Sequence, residues 1–270
     1  MKLKSFTYQD VNLCFDDTTI TKISGDFMMG KSEYLDALKA VTTIICGYPV
    51  PSRIDLSVFP ESKIKADLDY ELVDAQYDLE IEFVNEKHIY IYKCKLEHQV
   101  IIKEELLEDN VAIHVSAPNK LESIIFKCED KRVDNIKTFC NSFAFITPKP
   151  VRNGVLPYKI VDTFYNIKSE FSFWEPILQN IEIDGLTFNT TKNNTHYFEY
   201  NGKPLNECTD NTLMYLYALI TIETHSVVFF DDVDEYIIYK AMKHPKPGKQ
   251  IIYTGYPSVH ISDMQEIEFI

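Results

Sequence analysis

The chain has 270 residues, of which 45% are hydrophobic and 25% charged, enough for a substantial core and within the range of ordinary globular proteins. Its net charge of −14 excludes a protein whose whole surface grips nucleic acid, although a local basic patch would be compatible with it. The opening residues, MKLKSFTYQD, hold no apolar core of signal-peptide length, and no run approaches the roughly 18 apolar residues that span a membrane.

The first segment alternates as strands do, through Leu3, Phe6 and Tyr8 and then Leu13 and Phe15. A β-branched run, TTITKIS, follows and stops at Gly25. Beyond it, Tyr34, Leu35, Leu38, Val41 and Ile45 recur at helical spacing until Gly47 and Pro49 end the pattern. Between about residues 64 and 127, the runs IKADLDYEL, DLEIEFV, HIYIYKC, HQVIIKE, VAIHVS and SIIFKC predict an antiparallel meander of five or six strands with one wet face. A mixed, partly helical section follows, with the Pro-rich connector TPKPVRNGVLP and the single tryptophan, Trp174. IEIDGLTF and HYFEYNGKPL predict a hairpin. TDNTLMYLYALITIETH predicts a helix capped by Thr209 or Asp210, and SVVFFDD and KQIIYTG predict two buried strands. The six cysteines, Cys14, Cys46, Cys94, Cys128, Cys140 and Cys208, form no C-x-x-C pair, which predicts reduced, mostly buried thiols in a cytoplasmic protein. The sequons at Asn189 and Asn193 then carry no weight.

Chemistry enters at SGDFMMGKS. It fits the phosphate-loop template G-x-x-x-x-G-K-[ST], with Gly25, Gly30, Lys31 and Ser32 in place. The bare template arises by chance in on the order of one chain of this length in a hundred, and here a strand precedes it and a helix follows. Such a loop works because backbone N–H groups and a helix N-terminus point at anionic oxygens. Lys31 would add a charge at the β- and γ-phosphates, and Ser32 would ligate Mg²⁺. The bland alternative is a glycine turn with a solvated lysine. A complete site also needs an apolar strand ending in a metal-holding acid and a second acid that polarises water. VVFFDDVDEY offers Asp231 for the metal and Asp232 for the water, against the alternative of two solvated acids at a strand end.

This order of elements resembles the ABC-type ATPase heads of the SMC/RecF/OLD group, in particular the stand-alone AAA-type proteins found beside nucleases in bacterial defence loci. The resemblance spans essentially the whole chain; it is specific at the phosphate loop and the acidic strand and looser elsewhere. It implies an α/β fold: a P-loop NTPase, ABC-ATPase-like head with an inserted antiparallel β-meander and no coiled-coil arm. Residues 1–50 and 200–270 would form the nucleotide-binding core of one domain, about 60–130 the meander, and about 131–200 a helical or mixed section. Thr209, Asp210, Asn211 and Thr212 occupy the slots of the family's S-D-G-T-like signature, and Thr254, Gly255, Tyr256 and Pro257 those of its T-H-S-P strand end. ATP and Mg²⁺ are the implied cofactors. Two heads, in a homodimer or a heterodimer, would sandwich the nucleotide between the loop of one and the signature helix of the other, and so regulate a nuclease or similar effector in defence or DNA maintenance.

Four positions depart from the family. Met28 replaces a loop glycine, Asp232 stands in place of glutamate, Asn211 replaces the signature glycine, and Gly255 replaces the switch histidine. His260 lies nearby and reads first as structural. Three of the four bear on steps after binding, so slow or lost hydrolysis on a retained site is the expectation. The alternatives are a non-enzymatic pseudo-ATPase subunit or decoy, and an active ATPase of DNA repair.

Overall fold

The structure, a computed structural model, describes residues 1–8, 10–16, 19–25, 30–48, 76–97, 100–146, 183–190, 196–204, 207–231, 233–241, 248–255 and 264–268. Strands β1 (Lys2–Tyr8), β2 (Val11–Cys14) and β3 (Ile20–Ser24) lead into helix α1 (Lys31–Ile45). Then come β4 (Gln76–Asn85), β5 (His88–Glu97), β6 (Val100–Glu108), β7 (Val111–Ser116), a 3-10 turn at Ile125–Lys127, α2 (Lys131–Cys140) and β8 (Phe143–Ile146). The rest is β9 (Leu186–Thr190), β10 (His196–Tyr200), β11 (Lys203–Pro204), α3 (Asp210–Thr224), β12 (Val227–Phe230), α4 (Glu235–Ala241), β13 (Gln250–Gly255) and β14 (Gln265–Glu268).

Two larger sheets organise these elements. One is antiparallel, in the order β2-β1-β4-β5-β6-β7. The other is parallel throughout, in the order β14-β3-β13-β12-β8. The expected hairpin appears as β9–β10, extended by β11 into a small third sheet. Helix α1 shares one core with the antiparallel sheet and with the Ile23, Val227, Phe229 and Ile252 face of the parallel sheet. Helices α3 and α4 cover the opposite face, where Met214, Ala218, Ile222 and Ile238 meet Val228, Phe230, Ile251 and Tyr253. A parallel sheet buried on both faces explains why β12 and β13 read as continuous apolar runs rather than alternating ones.

The sheets cross the blocks drawn from the sequence. β1 and β2 join the meander, and FAFI, inside the mixed section, is the parallel edge strand β8. Two glutamines stitch the sheets together. Gln250, at the start of β13, accepts from Leu3 N–H at 2.8 Å and donates to Leu3 C=O at 2.9 Å. Gln265, at the start of β14, accepts from Asp16 N–H at 3.0 Å and donates to Cys14 C=O at 2.9 Å. Each side-chain amide thus satisfies polar backbone where the two sheets meet.

The predicted strand SIIFKC is corrected: among the described residues it forms the 3-10 turn instead. The cause is Glu104 of β6, whose carboxylate is fully buried. It accepts from Ile124 N–H at 2.8 Å, Ile125 N–H at 3.2 Å, Ser123 Oγ at 2.6 Å, Ser116 Oγ at 2.7 Å and Tyr92 Oη at 3.0 Å. Backbone donors captured by a carboxylate are not offered to a ladder, so the segment curls around the acid. The run IKADLDYEL, the connector TPKPVRNGVLP and Trp174 lie outside the described residues. No helix among the described residues is long and apolar enough to cross a membrane. The expectation of mostly buried thiols holds for Cys94 and Cys140; Cys46, Cys128 and Cys208 are half-buried and Cys14 is exposed.

Candidate nucleotide-binding site

Every strand of the parallel sheet runs the same way, so their carboxyl ends share one edge, the usual place for a ligand in such sheets. β3 ends there at Ser24 and is followed by Gly25. Register places Ser24 beside Gly255 and Ile23 beside Thr254 on β13, and Phe230 of β12 beside Tyr253. Asp231 follows one residue later, level with Thr254. One strand separates β3 from β12, so Gly25 and Asp231 flank a gap of two strand spacings, about 9.5 Å.

On the β3 side, Gly30 caps α1 with φ 81° and ψ 11°, a left-handed conformation that glycine adopts without strain. It brings no side-chain cap, and the first intrahelical bond runs from Tyr34 N–H to Gly30 C=O at 2.9 Å. The N–H groups of Lys31, Ser32 and Glu33 are therefore not consumed by the helix. Lys31 folds back so that its Nζ donates to Gly25 C=O. Backbone donors and a primary cation on one helix start suit an anion.

On the β12 side, Asp231 is 7% exposed. Its N–H donates to Ile146 C=O at 2.9 Å, which ties it to β8. Thr254 Oγ1 donates to its Oδ1 at 2.8 Å, and among the described residues no second donor reaches the carboxylate. Among those residues no three His, Cys, Asp or Glu gather as a metal cage. Mg²⁺ does not require one, since in phosphate sites it takes one or two protein oxygens and completes its shell with phosphate and water. The group set present, one buried carboxylate opposite a lysine and the first-turn N–H groups of a helix, fits that ion with a polyphosphate.

The helix that carries the signature slots read from the sequence can be placed as well. α3 returns directly into β12 through His225 and Ser226, so it runs against the strand and its N-terminus lies toward the same carboxyl edge. Thr209 is its N-cap, as expected, accepting from Thr212 N–H at a long 3.4 Å and lying 2.9 Å from Thr212 Oγ1. Asp210 and Asn211 begin the helix, and Ser32 is the second residue of α1; the side chains of all three lie outside what is described. Asp232, Phe27, Met28, Met29, Tyr256, Pro257 and His260 also lie outside the described residues. Gly255 ends β13, between β3 and β12, and offers no side chain to that gap. The hydrogen bond from Thr254 to Asp231 is not visible in the sequence, where Thr254 only fills a slot of the T-H-S-P-like strand end.

A second group of reactive types lies in the meander. His114 Nε2 is 3.0 Å from Asp130 Oδ2 and 3.8 Å from Cys128 Sγ. A relay of the Cys-His-Asp kind needs a different ring nitrogen for each partner, and here one nitrogen faces both. Burial and the Asp130 charge also push the Cys128 thiol up, away from the thiolate. The group locks structure. No protein-family model matches this chain, and no curated protein matches it.

Proposed function

We propose that this chain is an ATP-binding, ABC-type head of P-loop kind that acts in the cytoplasm, pairs with a second head and regulates a protein effector such as a nuclease. The observation that carries this reading is the pairing at one sheet edge of the Gly30-capped helix bearing Lys31 with the buried Asp231, two strands away. Lys31 and the first-turn N–H groups of α1 would hold the phosphates. Asp231 and Ser32 would hold Mg²⁺, which neutralises phosphate charge. Thr209, Asp210 and Asn211 open α3 at the same edge, where helix N–H groups could meet a nucleotide held by a partner head.

Hydrolysis is slow or lost in this proposal. Gly255 gives the gap no side chain that could contact a γ-phosphate, and loss of one such contact costs roughly 10²–10³-fold in rate. Nucleotide binding then acts as the glue between heads, stabilising whatever state it binds.

The test is a melting scan with and without ATP and Mg²⁺ on the wild type and Lys31→Ala. The wild type should gain thermal stability with ATP·Mg²⁺, and Lys31→Ala should lose most of that gain. An undiminished gain in the variant would sink the proposal. No gain in the wild type would favour the non-enzymatic pseudo-subunit, and turnover that rises with added DNA would favour a repair ATPase.

A further inference from the structure

Asp231 is anchored three ways, and two are ordinary. Its backbone N–H enters the β8 ladder and its chain continues β12. The third is a side chain from the neighbouring strand. Thr254, itself 5% exposed, donates its hydroxyl to Asp231 Oδ1 at 2.8 Å within the buried end of the sheet. A threonine here is costly unless its hydroxyl is satisfied, because neighbouring positions of β13 are apolar: Ile251, Ile252 and Tyr253 are each 1% exposed. Valine would fill the same volume without that demand. The hydroxyl therefore has a partner worth its burial, and that partner is the buried Asp231 carboxylate at the carboxyl edge.

We infer that Thr254 is the positioning residue of the Asp231 carboxylate, fixing Oδ1 so that Oδ2 remains the oxygen for a divalent cation. The inference deepens the proposed ATP·Mg²⁺ reading and rests on it. An Asp side chain has two rotatable bonds. A single hydrogen bond to one oxygen, together with burial, fixes both, so the second oxygen has a defined place before any ion arrives. Partners of this kind, one bond removed from the metal, typically change metal affinity 10–100-fold when removed. Thr254 would not touch nucleotide. Its loss should therefore alter the Mg²⁺ dependence of binding and leave Mg²⁺-independent contacts, those of Lys31 and the α1 N–H groups, as they are.

The experiment measures the melting shift of the full chain with ATP while Mg²⁺ is titrated, and repeats it with ATP in excess EDTA. Wild type, Thr254→Val, Thr254→Ala and Thr254→Ser are compared. Thr254→Val should need roughly 10–100-fold more Mg²⁺ for the half-maximal shift. Thr254→Ser, which keeps the hydroxyl, should fall near wild type, and the shift in EDTA should be equal in all four. If Thr254→Val does not fold, Thr254→Ala carries the same comparison. A Mg²⁺ midpoint unchanged in the hydroxyl-free variants overturns the positioning role while leaving the nucleotide site intact. A midpoint displaced equally in Thr254→Ser overturns it too, since the hydroxyl would then not be the cause. A wild type without any Mg²⁺-dependent shift overturns the nucleotide reading itself, and the inference with it.

Discussion

Glu104 in the antiparallel sheet and Asp231 at the end of β12 are both buried carboxylates, 0% and 7% exposed. Glu104 accepts from three hydroxyls and two backbone N–H groups. Asp231 accepts, among the described residues, from the Thr254 hydroxyl. A carboxylate offers about four lone-pair sites, so Glu104 is saturated and Asp231 is not. Saturation marks a charge the fold uses for itself: Glu104 wraps the 3-10 turn onto β6. Lone pairs left over at a sheet's carboxyl edge mark a charge kept for another partner, which is why Asp231 and not Glu104 belongs to the proposed site.

The largest way to break this contrast is to remove Glu104. Glu104→Ala would leave five donors without their acceptor in a closed core, and we expect a loss of about 3–5 kcal/mol in urea unfolding. Glu104→Gln should lose less. Its Oε1 can still accept from Ser116, Ile124 and Ile125, and the Tyr92 and Ser123 hydroxyls can turn to accept from the new amide. A Glu104→Ala protein within about 1 kcal/mol of wild type would show that the 3-10 turn does not depend on this acid.

Asp231→Asn should do the reverse. The amide oxygen keeps the Thr254 bond and a buried charge is removed, so stability without ligand should change by less than about 1 kcal/mol. The Mg²⁺-dependent part of the ATP shift should vanish, leaving the shift seen in EDTA; for a site filled at 100-fold excess over Kd the full shift corresponds to about 2.7 kcal/mol. A retained Mg²⁺-dependent shift in Asp231→Asn, or a loss of stability comparable to that of Glu104→Ala, would erase the distinction between the two acids.

The sequence shows one side of this contrast more clearly than the other. Gly30, Lys31 and Asp231 are legible because each stands where hydrophobic periodicity stops, and the type of residue at such a boundary is constrained by chemistry. Glu104 is not legible. In VIIKEELLE two adjacent glutamates look alike, and irregularities in register on either side of Glu104, at Lys95/Leu96 and Leu106/Leu107, upset the simple alternation that would say which one points inward. SIIFKC looks like a strand because three apolar residues in a row fit strand and turn equally well, and its conformation is decided by an acid some twenty positions earlier. FAFI is too short for periodicity to speak. It is a strand because Phe143 and Phe145 pack on Phe229 of β12, with ring centroids 5.8 Å and 4.6 Å apart. Thr254 falls in a slot of the T-H-S-P-like strand end, but nothing local says that it bonds Asp231, since that partner is 23 residues away.

Asp130 lies between the two extremes and gives the smallest, most graded effect. It caps α2 by accepting from Arg132 N–H at 2.8 Å, and the Arg132 guanidinium holds it through Nε at 3.0 Å and through Nη2 at 2.7 Å to Oδ2, the oxygen that also lies 3.0 Å from His114 Nε2. Arg132 also reaches Glu108 at 3.1 Å, so it is not the property of one acid. The arginine, before the histidine and the backbone N–H, holds the Asp130 carboxyl well below its usual range. A carboxyl depressed in the folded state stabilises the protein above its unfolded value, about 3.9, and that stabilisation is lost as pH falls toward the folded value. The side chains of Asp130 and Arg132 are 15% and 38% exposed, so water screens the pair and the total stays small. Asp130→Asn should cost about 1 kcal/mol at pH 7 in urea unfolding, and the gap to wild type should close as pH falls from 4 toward 2. A gap constant across that range would mean that Asp130 acts as a neutral cap and not as a charge. The ordering from saturated to open carboxylate would then be a matter of hydrogen-bond count alone.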